Sequence, residues 1–172
     1  MDNKNLRLNC AAFFLLMLAF SLTTRAQDKE QQASIKVQGE VTQPLTLYPA
    51  DLAKMPRTTV SSKDKSGASH NYTGVPVTEI LSKAGVTLGR QLRGENLAKY
   101  LLVTCSDGYQ VVFSLAELDS SFTDRVVILA DQMEGQPLPA AVGPFRIIVP
   151  GEKKPARSSF QVVSFTVRFA KE

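Results

Sequence analysis

From Ala33 to Phe169 the chain is a succession of short β-branched and apolar runs, each cut by a turn containing Gly, Pro or Asp. That rhythm leaves no room for long helices and demands many short strands. Ile35, Val37 and Val41 alternate with polar residues and read as one strand. Leu45 and Leu47, just after Pro44, read as the next. Thr58–Ser62 is a β-branched run, Lys63–Gly67 (KDKSG) a hairpin turn and His70–Tyr72 the returning strand. Leu101–Thr104 and Tyr109–Phe113 flank Asp107-Gly108 and predict a second hairpin. Val126–Ala130, Phe145–Val149 and the alternating stretch Phe160–Phe169 bring the expectation to about eight or nine strands.

Helical signals are brief. Asp51–Lys54 reads as one turn, closed by Pro56. Gly74-Val75-Pro76-Val77 is expected to start a helix in which Val77, Ile80 and Leu81 share a face, with Gly85 placed as its C-cap glycine. Ser114-Leu115-Ala116-Glu117 carries the spacing of a capping box and predicts a further helical start. Hairpins mixed with three or four short helices predict an α+β fold with mixed sheets, not a parallel α/β sheet.

The first 26 residues read differently. Lys4 and Arg7 precede the apolar run Ala11–Leu22, and Thr24-Arg25-Ala26 follows with small residues where a signal peptidase cuts. The run is too short to span a bilayer, which takes about 20 apolar residues. Residues 1–26 are therefore expected to be a signal peptide, 27–33 a loose leader and 34–172 the domain, with the mature protein periplasmic or secreted and without a membrane span. Cleavage removes Lys4, Arg7, Arg25 and Asp2 and lowers the net charge from +4 to +2. Such a weak excess does not predict nucleic-acid binding, which needs clustered positive charge. Cleavage also removes Cys10 and leaves Cys105 alone, so an internal disulfide, a Cys-rich zinc site and, with His70 the sole histidine, a multi-histidine metal site are all excluded.

Few residues carry chemistry by type and setting. His70 lies in a polar hairpin arm and reads either as a solvated histidine or as a ligand or proton carrier. Cys105 ends an apolar strand and reads as a buried small hydrophobe, unless a neighbouring cation activates it. Arg146 sits inside the apolar run Phe145–Val149, so its charge needs a partner: a carboxylate such as Asp131 or Glu134, or an anion in a cleft. Lys153, Lys154 and Arg157 follow on a Gly- and Pro-containing loop, which suits either a phosphate or a solvated turn.

A set of motifs now falls into order. Gly39-Glu40-Val41, Pro44-Leu45-Thr46-Leu47 and Tyr72-Thr73-Gly74-Val75-Pro76-Val77 lead to Asp107-Gly108-Tyr109 and Ser114–Leu118. Leu129-Ala130-Asp131, Gly135-Gln136-Pro137-Leu138 and Gly143–Gly151 (GPFRIIVPG) complete it. Together they resemble the molybdopterin-binding oxidoreductase domain of the sulfite-oxidase-like fold, over about residues 35–169. The resemblance implies a curved, mixed-sheet α+β domain in which molybdopterin holds molybdenum and one protein thiolate completes the ligation. That thiolate would fall between Arg57 and Tyr72, where this chain has no cysteine; we place its counterpart at Ser61. Ser61, His70, Arg146, Lys153 and Arg157 are the cofactor-binding positions the resemblance implies, with no metal ligand assigned. The partners it implies are a pterin or other anionic small molecule and a periplasmic redox protein. Two functions follow: a molybdopterin-dependent oxidoreductase-like protein that has lost its thiolate, or a cofactor-free binding or partner module that kept the fold.

Overall fold

The computed structural model describes residues 33–170; the expected signal peptide and nearly all of the leader lie outside the described residues. Ten strands and two short helices follow in the order β1 (Ile35–Gly39), β2 (Leu45–Leu47), α1 (Pro49–Leu52), β3 (Thr58–Lys63), β4 (Ser69–Pro76), α2 (Val77–Lys83), β5 (Lys99–Cys105), β6 (Gln110–Ser114), β7 (Ile128–Met133), β8 (Gln136–Pro137), β9 (Arg146–Ile148) and β10 (Val162–Phe169). Single 3₁₀ turns occupy Gly89–Gln91, Gly94–Ala98 and Pro155–Arg157.

The strands form two five-stranded sheets. One runs β2-β1-β10-β5-β6, and the other β3-β4-β7-β8 with β9 also paired to β7. Every pairing is antiparallel except β1 with β10, which run parallel. The mixed α+β class read from the sequence is the class observed.

Period-two alternation explains the first sheet. Ile35 and Val37 of β1 and Phe165 and Val167 of β10 turn inward and are almost wholly buried, while their neighbours face out. They join Leu101, Val103 and Phe113 and the inner face of α2 (Val77, Ile80, Leu81) in the larger of two apolar clusters. A smaller cluster gathers Tyr72, Ile128, Ala130, Leu138 and Ile148 in the second sheet. Fully burying one such side chain is worth about 1.5–3 kcal/mol, and the two sheets supply most of these positions.

Three sequence expectations need correction. Gly74-Val75-Pro76 does not start the helix: it continues β4, paired with Ala130, Leu129 and Ile128, and α2 begins at Val77. The reason lies at Gly74, where a Cβ would meet the Leu129 carbonyl oxygen at 2.1 Å. Only glycine permits that approach, and the β4–β7 register shifts between Thr73 and Gly74. The capping box forms, with the Ser114 N–H donating to Glu117 (2.9 Å) and the Glu117 N–H to the Ser114 hydroxyl (3.2 Å), yet no helix follows. The chain makes isolated turns there instead, with the Asp119 N–H bonding the Leu115 carbonyl (3.1 Å), while the buried Asp119 carboxylate accepts the N–H of Ser121 (2.8 Å) and, from a distant loop, that of Gly89 (2.5 Å). The third correction concerns Arg146 and is given below.

Candidate functional site

The KDKSG turn carries more structure than its composition suggests. The Asp64 carboxylate accepts the Ser66 N–H (2.8 Å), the Ser66 hydroxyl (2.6 Å) and the Ala68 N–H (3.0 Å), and His70 Nε2 lies 3.2 Å away. The Ser66 hydroxyl, ahead of His70 and the backbone N–H groups, pulls the Asp64 pKa from 3.8 down to about 2. The carboxylate is thus the hub that rigidifies the β3–β4 hairpin tip.

The loop after β9 is held by a second hub. Arg157 donates through Nε to Glu152 (2.8 Å) and through Nη2 to the same carboxylate, and its Nη1 reaches both Glu117 oxygens (3.1 Å). Its guanidinium also lies over the Phe113 ring, 4.7 Å from the centroid. Burial alone would lower the Arg157 pKa, but the Glu152 and Glu117 hydrogen bonds outweigh it and raise it. The Tyr109 hydroxyl donates to the Ala156 carbonyl at 3.1 Å, so the β5–β6 hairpin also secures this loop.

Between hairpin tip and loop lies a cleft of about 1000 Å³, lined by residues of segments 61–69 and 151–156. Lys63 and Lys65 stand on one wall and Lys153 and Lys154 on the other, all four exposed. Among the described residues none of the four is paired with a carboxylate. The two acids in the lining, Asp64 and Glu152, are already taken by the hubs just described. The cleft therefore presents unneutralised positive charge, with no aromatic or large aliphatic side chain in its walls.

The residues expected from the sequence are distributed unevenly around this cleft. Ser61 and Lys153 line it. Ser61 is exposed, and its hydroxyl is 2.8 Å from that of Ser69 across the hairpin. Arg157 does not line it; its guanidinium is committed to the two glutamates. His70 is half-buried on β4 between Asp64 and Glu134, with Nδ1 3.9 Å from the latter, and also lies outside the lining.

Arg146 is 7% exposed but, among the described residues, has no carboxylate partner. Its Nη1 donates to the Tyr72 hydroxyl (2.9 Å) and its Nε to the Ser158 carbonyl (3.4 Å), and its guanidinium lies 5.0 and 4.4 Å from the ring centroids of Tyr72 and Phe160. The acids expected to neutralise it are engaged elsewhere: Asp131 accepts a bidentate pair from Arg57, and Glu134 accepts the Asn71 N–H at 2.8 Å. Two ring faces and a hydroxyl replace the carboxylate, and burial lowers the Arg146 pKa.

Lys63 and Lys65 went unrecognised in the sequence because KDKSG reads as a turn and nothing more. The available signal was the pair of lysines bracketing Asp64.

The donors available to a metal are sparse. β3 carries no cysteine. Cys105 is 3% exposed in the core of the other sheet, and burial raises its pKa. Among the described residues no group of three or more His, Cys, Asp or Glu is placed to hold a metal ion.

A sequence model of the oxidoreductase molybdopterin binding domain matches residues 22–154. The chain belongs to this family. A comparison with curated proteins returned no match. Among solved structures, the sulfane dehydrogenase SoxCD from Paracoccus pantotrophus superposes with a TM-score of 0.64 at 20% identity, over 83% of this chain and 40% of that one. At that identity the likeness is one of fold, and the molybdopterin-binding domain here has the sulfite-oxidase-like architecture. This chain spans well under half of that relative's length.

Proposed function

We propose that this protein is an exported member of the molybdopterin-binding domain family that has given up thiolate-ligated molybdenum and works as an anion-binding module. The lysine cleft carries this reading: among the described residues, four ammonium groups with no carboxylate partner line one cavity, and the two acids in its lining are spent on structure. Charge-assisted hydrogen bonds to an anionic ligand are what such a surface offers. Lys153 is among the holding groups, and Arg157 is a positioning residue that fixes the loop.

The residues do not fit a molybdenum centre. A serine oxygen can bind a metal, but beside the dithiolene the family resemblance calls for a protein thiolate. The β3 position we align with it holds Ser61, a hard oxygen already bonded to Ser69. Cys105 is in the other sheet and buried. Export rests on the charged start, apolar run and Thr24-Arg25-Ala26 ending. Among the described residues no helix is long and apolar enough to cross a membrane.

The test is metal analysis and fluorescence of oxidised pterin, on protein purified from a host that makes the cofactor, beside isothermal titration with tripolyphosphate. Stoichiometric molybdenum and pterin would overturn the reading and restore the oxidoreductase. Heat of binding that disappears in Lys153→Gln with Lys154→Gln, with neither metal nor pterin present, is the expected result. Mass spectrometry of the mature chain should find Gln27 at its start.

A further inference from the structure

β3 is the outer strand of its sheet, with β4 on one side and no strand on the other among the described residues. Its register shows which backbone groups are left over. Asp64 N–H bonds the Ala68 carbonyl at 2.9 Å and closes the hairpin. Opposite Ser61, Asn71 turns its N–H to the Glu134 carboxylate (2.8 Å) and its carbonyl to the Glu134 N–H (2.9 Å), away from β3. Antiparallel ladders alternate, so Thr59, Ser61 and Lys63 direct their own N–H and C=O groups outward from the sheet. Ser61 and Lys63 are also residues of the cleft wall.

Two of the residues whose backbone groups point outward from β3 thus belong to the cleft lining, with Lys153 and Lys154 on its other wall. A lysine on an edge strand can serve merely to discourage pairing, and Lys63 alone would be read so. Lys65, Lys153 and Lys154 are not on that strand, and their charges converge on the same cavity. The walls offer a small ring-bearing ligand no aromatic or large aliphatic side chain, only Pro155 and Ala156, whereas small-molecule sites are mostly apolar and enclosed.

Resting on the anion-binding reading above, we propose that the cleft takes an extended acidic peptide segment of a partner protein, which adds as a strand to β3. Its main chain bonds Ser61 and Lys63, as in strand-addition recognition. Its carboxylates, spaced at alternate residues, meet the lysines of the hairpin and of the loop. Backbone pairing supplies the register and charge supplies the selection.

The probe is a dye-labelled peptide of about six residues, the usual length of a strand, alternating Glu and Thr. The same peptide with Lys for Glu, and tripolyphosphate, serve as comparisons. The acidic peptide should bind with an affinity that falls as salt rises, and binding should slow hydrogen exchange at the Ser61 and Lys63 amides of the unmodified protein. Ser61→Pro, which removes one outward N–H at an edge position that tolerates proline, should weaken the peptide about three- to tenfold and weaken tripolyphosphate, which the lysines hold, much less. Lys153→Gln with Lys154→Gln should weaken both. Peptide binding without amide protection, or complete insensitivity to Ser61→Pro, overturns the strand-addition mode while leaving the anion site standing. Failure of both the peptide and tripolyphosphate to bind removes the anion-binding reading itself, and equal binding of the Lys peptide removes the charge argument.

Discussion

Arg146 is enclosed by Tyr72, Phe160 and the Ser158 carbonyl, while Lys63, Lys65, Lys153 and Lys154 stand in solvent around a cavity with no carboxylate partner among the described residues. Arg157 falls between the two: partly exposed, yet bound by two carboxylates. The contrast sorts the basic residues by what removing each should do. A cation whose donors are satisfied within the fold contributes to stability. A cation left unsatisfied at a cavity wall contributes little to the fold and is available to a ligand. The lysines are four of the chain's 20 basic residues, so composition alone could not have marked them.

The largest effect should come from the enclosed cation. Arg146→Ala leaves a cavity between two rings and strips the Tyr72 hydroxyl of its donor, at a cost of about 3 kcal/mol. Arg146→Met refills the space without the charge. It loses the same bonds to Tyr72 and Ser158 but leaves no cavity and orphans no carboxylate, so it should cost clearly less than the alanine change. Chemical denaturation of both variants decides between these accounts. An alanine variant as stable as the parent would show that the cage does not hold the fold.

Arg157→Ala should have a smaller effect on the fold and a larger one on the cleft. Arg157 and Glu117 are 31% and 32% exposed and Glu152 16%, so the loss of these partly solvated pairs should cost only about 1 kcal/mol. The same change frees Glu152 to face Lys153 and Lys154. Titration with tripolyphosphate should show clearly weaker binding than the modest drop in melting temperature explains. Proportionate losses of both would mean that Arg157 acts only through stability.

The Asp64 hub gives the comparison a pH dependence. Its folded pKa, about 2, lies below its ordinary 3.8. The carboxylate's contribution to the hairpin tip is therefore fully present above pH 3.8 and is lost as pH falls toward 2. Amide exchange at Ser66 and Ala68, corrected for its intrinsic pH dependence, should lose protection across that window while β5 and β10 do not. Asp64→Asn should remove the dependence.

How much of this was legible in the sequence depends on the distance between the residues involved. The hairpins at Lys63–Gly67 and Asp107-Gly108 and the C-cap at Gly85 rest on neighbours a few positions apart, and they stand as read. The burial of Arg146 was legible from Phe145 and Ile147-Ile148-Val149, but its partner was not, because Tyr72 is 74 positions away. Gly74-Val75-Pro76 is an apolar run abutting a helical pattern. Periodicity cannot say where strand gives way to helix there, and the Leu129 carbonyl that requires Gly74 belongs to another strand. Ser61 and Lys153, singled out from the resemblance and the basic loop, both lie in the cleft lining; Lys63 and Lys65 were not singled out, because what puts them in the same lining as the loop is tertiary structure.

The smallest effect on the fold should come from the lysines, and it sharpens the comparison most. Neutralising Lys153 and Lys154 to Gln removes exposed charges that bond nothing among the described residues, so stability should move by no more than about 0.5 kcal/mol. It should not fall, because two like charges on adjacent residues repel one another and their removal relieves that repulsion. The repulsion is tolerated because Arg157 clamps the loop through Glu152 while leaving both ammonium groups free. An unchanged or slightly raised melting temperature, together with lost tripolyphosphate binding, would show that the fold holds these charges together against their own repulsion. A clear loss of stability would mean instead that the lysines are tied into the fold, and the division between enclosed and open cations would fail at its simplest point.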